Sequence, residues 1–106
     1  MKNISVQEFK DALSQTGNNS DIAFIDVCSR DEYAEKHIQG VRNIPLDELH
    51  QHLNELQNNK TIYIHCFSGG RSQMACYMLE GQGVKAELFN MDGGILAWQR
   101  AGFPTV

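Results

Sequence analysis

Two short and nearly continuous apolar runs constrain the fold of this chain more than any other feature. They occupy residues 22–27 and 61–66, and the second is rich in β-branched and aromatic residues. Runs of this length and composition are typical of β-strands that are buried on both faces. Such strands need a covering layer on each side, so the pattern favours a parallel sheet packed between helices.

The segments around these runs have helical patterns. Ser5 followed by Glu8 has the form of a capping box and predicts a helix over residues 6–15. After Pro45, leucines recur every three or four residues and predict an amphipathic helix. Further helices are predicted at 30–36, 71–82 and 93–101, and a last strand at 84–89. Alternating strands and helices indicate an α/β domain whose central sheet is mostly parallel, with helices on both faces.

Length and charge limit what the domain can do. A chain of 106 residues, 42% hydrophobic and 21% charged, predicts one compact domain over residues 1–106. A net charge of -4 gives no excess of cations for a phosphate backbone or an anionic membrane, so we expect no nucleic-acid or membrane partner. The polar first residues have no basic start followed by an apolar run, so we expect a cytoplasmic protein.

The three cysteines differ in their predicted positions. Their odd number and wide spacing suit neither a disulfide framework nor a zinc site, so free thiols are expected. Cys76 falls within a predicted helix, where a packing role is expected. Cys66 ends a strand directly before a glycine-containing loop and a helix, and Cys28 follows the other strand. Loops at the carboxyl ends of parallel strands converge on one crevice, where ligands bind.

The segment after Cys66 is suited to hold an anionic sulfur. A free thiol has a pKa of about 8.5, so a reactive cysteine needs surroundings that stabilise its thiolate. Gly69 and Gly70 let backbone N–H groups turn toward an anion, and the following helix start adds its positive end. Arg71 supplies a charge, and the hydroxyls of Ser68 and Ser72 are further candidate donors. A persulfide would be stabilised by the same groups.

Three motifs, spread over most of the chain, resemble those of the rhodanese homology domain. The active-site loop of that family is matched by Cys66-x-x-Gly69-x-Arg71-Ser72. The first signature is matched by Asp26-Val27 with Glu32-Tyr33, by His37-Ile38-Gln39-Gly40 and by Asn43-Ile44-Pro45-Leu46, and the closing motif by Met91-Asp92-Gly93-Gly94-Ile95-Leu96-Ala97-Trp98.

The resemblance implies a fold, a reaction and a site. The fold would be a rhodanese-like three-layer structure with a five-stranded central sheet. The reaction would be sulfur transfer through a persulfide on Cys66, from thiosulfate or a related small-molecule donor to a thiol, to cyanide or to a protein acceptor. The substrate-binding residues would be Phe67, Ser68, Gly69, Gly70, Arg71 and Ser72. The resemblance implies no metal and no organic cofactor.

Three alternatives stay open at this point. Cys28 stands where the family commonly has arginine, and it either takes part in a sulfur relay or a disulfide with Cys66, or only fills that space. The domain could carry persulfide for a partner without turnover, or act as a sensing or binding module. It could also act as a phosphatase or arsenate reductase, but their loops have the form Cys-x5-Arg. The Cys-x4-Arg loop here is one residue, or about 3.8 Å of backbone, shorter and should crowd a tetrahedral oxyanion.

Overall fold

The computed structural model describes residues 1–106 and contains one five-stranded sheet in which every pair of neighbouring strands is parallel. The spatial order of the strands is β1-β5-β4-β2-β3. Their bounds are Lys2–Ile4 (β1), Ile22–Asp26 (β2), Arg42–Asn43 (β3), Thr61–His65 (β4) and Glu87–Met91 (β5). The predicted α/β class and the two central strands are therefore confirmed.

Helices cover both faces of the sheet. They are α1 (Val6–Thr16), α2 (Arg30–Glu35), a 3₁₀ helix (Leu46–His52), α3 (Leu53–Leu56), α4 (Gly70–Gly81) and α5 (Gly94–Arg100). One apolar cluster joins the sheet to α4 and the 3₁₀ helix, and includes Ile62, Ile64 and Leu79. A second cluster joins the opposite face to α1 and α5, through Phe9 and Trp98. None of the helices has the length and apolar character needed to cross a bilayer.

The capping box predicted for α1 is present. The Ser5 side chain accepts from the Glu8 N–H at 3.0 Å, and the Glu8 carboxylate accepts from the Ser5 N–H at 2.9 Å. The helix after Pro45 differs from the prediction, because most of it is a 3₁₀ helix and only its last turn is α-helical. Two of the leucines that predicted this helix, Leu49 and Leu56, are buried. The spacing of three from Leu46 to Leu49 fits the three residues per turn of a 3₁₀ helix.

The register of the two central strands brings both cysteine loops to one edge of the sheet. Asp26 in β2 is the Cα partner of His65 in β4. Just beyond, the N–H of Val27 donates to the carbonyl oxygen of His65 at 3.0 Å. Cys28 and Cys66 therefore leave neighbouring strands at the same end, as predicted.

Candidate active site at the Cys66 loop

Cys66 lies at the base of a loop that turns a backbone donor toward its sulfur. The side chain follows β4 directly and is 1% exposed. The N–H of Gly69 donates to Cys66 Sγ at 3.1 Å. Gly69 has a φ of 112°, which side chains rarely adopt, and it immediately precedes α4. The sulfur thus lies in a sheltered position beside a donor and a helix N-terminus, both of which favour an anion.

The first turn of α5 holds the outer side of this loop. The N–H of Ile95 donates to the carbonyl of Cys66 at 2.9 Å, and the N–H of Leu96 donates to the carbonyl of Phe67 at 3.1 Å. Gly94 permits this approach, because a Cβ there would lie 2.4 Å from the Phe67 oxygen, and its φ is +61°. The Gly-Gly pair of the closing motif therefore fixes the loop as well as turning the chain.

The other residues of the predicted loop differ in how far they are exposed to solvent. Ser72 is fully buried, and its hydroxyl donates to the Gly69 carbonyl at 3.1 Å. That hydroxyl holds the loop backbone in this structure, and its role as a donor to a bound sulfur stays a prediction. Ser68 and Gly70 are exposed, and Phe67 is half-buried against both apolar clusters.

Arg71 is paired with a carboxylate that lies far from it in the sequence. Its Nη1 and Nη2 donate to Glu32 Oε1 and Oε2 at 2.7 and 2.9 Å. These bonds, with the Ser29 N–H, lower the pKa of Glu32 to about 2. The same pairing raises the pKa of Arg71. A signal was present in the sequence, since Ser29-x-x-Glu32 is a capping box that holds the Glu32 carboxylate at the start of α2.

Cys28 has surroundings that oppose ionisation. Its side chain is 3% exposed, and its N–H donates to Asp26 Oδ1 at 2.9 Å. Burial, and then the Asp26 carboxylate, raise the pKa of the Cys28 thiol far above its ordinary range, although Arg71 Nη2 lies 3.9 Å from the sulfur. Cys76 lies on the buried face of α4, in the core as predicted, where burial raises the pKa of its thiol to about 12.

A buried histidine supports the loop from behind. His65 Nδ1 lies 3.1 Å from the Cys66 carbonyl oxygen, so this nitrogen is the protonated donor. His65 Nε2 has no hydrogen-bond partner and lies 3.7 Å from Asp26 Oδ2. Burial lowers the pKa of His65, which is therefore neutral at pH 7. The ring packs edge-on against Phe9.

A cavity of about 250 Å³ opens beside the loop. Its walls carry more acidic than basic groups and are formed by Asp26, Cys28, Glu32, Glu35, Lys36, Phe67 and Ile95. A larger cavity, near the N-terminal end of β2, contains no cysteine. The smaller cavity reaches the Cys66 loop at Phe67, the residue that follows Cys66.

The chain belongs to the rhodanese-like domain family. The family model for that domain matches residues 5–101, which include all three motifs and the Cys66 loop. This match confirms the family suggested by the sequence motifs.

Three bacterial proteins are similar to this chain over about nine tenths of its length. A Bacillus subtilis protein named "Putative sulfur carrier protein YrkF" is 38% identical over 90% of this chain, which spans only 49% of that protein. A protein named "Sulfurtransferase" from Allochromatium vinosum is 32% identical, over 91% of this chain and 90% of its own length. The crystal structure of a rhodanese-like domain protein from Staphylococcus aureus is 31% identical, with a TM-score of 0.76 over 92% of this chain and 91% of its own.

Proposed function

We propose that this protein is a sulfurtransferase that carries a sulfane sulfur as a persulfide on Cys66. The donor would be thiosulfate or a related small molecule, and the acceptor a thiol, cyanide or a protein. The observation that carries the proposal is the Gly69 N–H aimed at the buried Cys66 sulfur from a loop that leads into α4. A relative named as a sulfurtransferase over nearly its whole length supports the same class of reaction.

The reaction divides into two displacements at sulfur. The Cys66 thiolate attacks the outer sulfur of thiosulfate, the bond between the two sulfur atoms breaks, and sulfite leaves with the electron pair. The resulting persulfide anion extends from Sγ, where the loop N–H groups and the positive end of α4 stabilise its charge. An acceptor thiolate then attacks the outer sulfur and releases the Cys66 thiolate. The attacking species is the thiolate, so this step involves no proton transfer to a general base.

The test is mass spectrometry of the loaded protein. Incubation with thiosulfate should add the mass of one sulfur atom to the Cys66 peptide, and cyanide should remove it. Cys66→Ala should abolish both loading and turnover, while Cys76→Ala, which alters a cysteine in the core, should load normally. Full sulfur transfer by Cys66→Ala would overturn the proposal.

A second candidate is a persulfide carrier that does not turn over by itself. The similarity to a protein named as a sulfur carrier favours it. Both candidates predict loading of Cys66, so they differ only in release. Rapid multiple turnover with cyanide or a small thiol supports the enzyme, whereas stable loading that a small acceptor does not discharge supports the carrier.

A further inference from the structure

We infer that Glu32 sets the donor specificity of the site by neutralising Arg71, and that the preferred sulfur donor is a persulfide of a thiol that bears an ammonium group. This inference rests on the proposed function, because it concerns which donor loads Cys66. It assigns the cavity beside the loop as the place where the thiol part of the donor binds, that is, the part that leaves once the sulfur has been transferred.

The first argument is the charge of Arg71. A free guanidinium at the loop would attract a dianion such as thiosulfate and hold its oxygen atoms in a fork of two bonds. Here Nη1 and Nη2 both donate to the Glu32 carboxylate, which is the same fork-to-fork geometry. The carboxylate is itself fixed by the Ser29 N–H at 2.8 Å, so it is not free to swing away. Thiosulfate would have to compete with an anion that is already in place.

The second argument is the charge of the cavity wall. Asp26 and Glu35 make no ion pair with a lysine or arginine, and the partner of Glu32 is Arg71. The only lysine in the wall, Lys36, donates to Gln99 Oε1 at 3.0 Å and lies 5.7 Å from the Phe67 ring centroid. The charges of Arg71 and Glu32 cancel each other. The charged groups that remain in the wall are the carboxylates of Asp26 and Glu35 and the ammonium group of Lys36. The wall is therefore net negative and opposes a dianion.

The third argument is the free oxygen of Asp26. This side chain is 1% exposed and lines the cavity. Its Oδ1 accepts the Cys28 N–H, whereas Oδ2 accepts no N–H group of the protein, and neutral His65 is 3.7 Å away. A carboxylate oxygen in this position can accept an N–H from the ammonium group of a ligand. The cavity has room for a short aminothiol, whose sulfur would then reach toward the Cys66 loop.

The sulfur chemistry of such a donor is balanced without an added oxidant. The Cys66 thiolate attacks the outer sulfur of R–S–SH, the S–S bond of the donor breaks, and the aminothiol leaves with the electron pair and the proton. Cys66 gains the sulfane sulfur as a persulfide anion.

The experiment compares donors that differ only in charge. Persulfides of cysteamine, 2-mercaptoethanol and 3-mercaptopropionate carry an ammonium, a hydroxyl and a carboxylate on short chains. Loading of Cys66 by each, and by thiosulfate, is measured by mass spectrometry and divided by the rate of the same donor with free N-acetylcysteine. The corrected rate should be highest for cysteamine persulfide and lowest for thiosulfate.

Glu32→Gln tests the role of that carboxylate directly. It removes one negative charge but keeps an oxygen for the Ser29 N–H. The corrected rate with thiosulfate should rise about tenfold, because the interaction of a unit charge with a dianion is twice as large as with a monovalent ion. The corrected rate with cysteamine persulfide should fall by about threefold, because its ammonium group loses a nearby negative charge. Glu8→Gln is the matched control, because it makes the same charge change in the capping box of α1, far from the loop. It should change neither rate.

The outcomes separate the inference from the proposed function. If Cys66 loads, but thiosulfate is preferred over cysteamine persulfide or Glu32→Gln leaves the ratio of their rates unchanged, the inference is wrong and the sulfurtransferase proposal stands. If no donor loads Cys66, both are wrong.

Discussion

The structure contains two units of the same plan, and only one of them favours an anionic sulfur. In each, a buried parallel strand ends, a cysteine follows within two residues, and a helix begins: Cys28 between β2 and α2, and Cys66 between β4 and α4. Cys28 is separated from its helix by Ser29 alone, whereas Cys66 is separated by three loop residues. The difference lies in where the N–H groups at the helix start are directed.

In the Cys28 unit these donors are already satisfied. Ser29 and Glu32 form a complete capping box, and the Cys28 N–H donates to Asp26. In the Cys66 unit there is no side-chain cap at all, and Gly69 directs its N–H to the sulfur. An uncapped helix start with a glycine before it leaves its donors for a ligand, while a capped start uses them for stability. Position at a strand end is therefore not sufficient to bring a backbone donor to a cysteine sulfur.

The largest effect is expected where α5 holds the Cys66 loop. Gly94→Ala should abolish most of the loading of Cys66 and lower the free energy of unfolding by about 2–4 kcal/mol, because the new Cβ would overlap the Phe67 and Cys66 carbonyls at a strained φ. Loading by mass spectrometry and urea denaturation measure the two effects.

Gly81→Ala is the control for that substitution. A Cβ at Gly81 has no neighbour within 4 Å, and its backbone is helical, so alanine should raise stability by about 0.5–1 kcal/mol with loading unchanged. Normal loading by Gly94→Ala would show that the contact with α5 does not determine the loop geometry.

The second prediction concerns the length of the loop. Inserting one glycine between Gly69 and Gly70 gives the Cys-x5-Arg spacing and should reduce loading of Cys66 by about tenfold or more, because the Gly69 N–H no longer points at Sγ. The unmodified protein should not hydrolyse p-nitrophenyl phosphate at a measurable rate. A glycine inserted between Asn58 and Asn59, in the turn before β4, is the control and should load normally. Efficient hydrolysis of phosphate esters by the unmodified protein would contradict the argument from loop size.

Much of the fold and the place of Cys66 at a strand end before a helix could be predicted, because the responsible signals are local. The two apolar runs, the capping box at Ser5 and the glycines after Cys66 each act within a few residues. Edge strands β1 and β3 were not predicted as elements: they have three and two residues, and β1 carries exposed polar side chains. Their pairing depends on the neighbouring strand, which local patterns do not report.

Parts of the site depend on contacts that are distant in sequence. Arg71 and Glu32 are 39 positions apart, so spacing alone did not indicate that the two charges cancel. The support of the loop by Gly94 and Ile95 is also long-range. Ser72 is a candidate donor to the sulfur because it lies in the loop motif, and only the structure shows that its buried hydroxyl donates to the Gly69 carbonyl.

A third prediction concerns His65, the last residue of β4. Its Nε2 lies 3.7 Å from a carboxylate oxygen of Asp26, the last residue of β2. The pKa of His65 is lower in the folded protein than the ordinary value of about 6.5, so as pH falls below that value the unfolded chain takes up a proton that the folded protein does not. As pH falls below 6.5, His65 should lower the free energy of unfolding by at most about 1.4 kcal/mol for each pH unit. Above pH 6.5 this loss should be absent.

Urea denaturation at pH 7.5 and pH 5.5 measures this dependence. His65→Phe removes the titrating group and should reduce the difference between the two pH values, whereas His50→Gln, at an exposed position, should not alter it. An equal pH dependence in His65→Phe and the unmodified protein would assign the effect to other groups.

The smallest effect is expected at Cys28. Its thiol is buried, and Asp26 opposes its ionisation, so it should react slowly both with iodoacetamide and with a persulfide on Cys66. Cys28→Ser should therefore load and release sulfur at rates within about twofold of the unmodified protein. Peptide mapping of the loaded protein should find the added sulfur on Cys66 and a free thiol at Cys28.

The relay hypothesis makes the opposite prediction, and its chemistry needs no oxidant. If Cys28 attacked the outer sulfur of the Cys66 persulfide, the sulfur would move to Cys28 and the Cys66 thiolate would leave. If it attacked Sγ instead, a Cys28–Cys66 disulfide would form and hydrosulfide would leave. Both cysteines follow adjacent strands at the same edge of the sheet, and burial beside Asp26 disfavours the Cys28 thiolate that either attack needs. Sulfur on Cys28, or a crosslinked peptide that appears together with hydrosulfide, would show that the second unit takes part in the transfer.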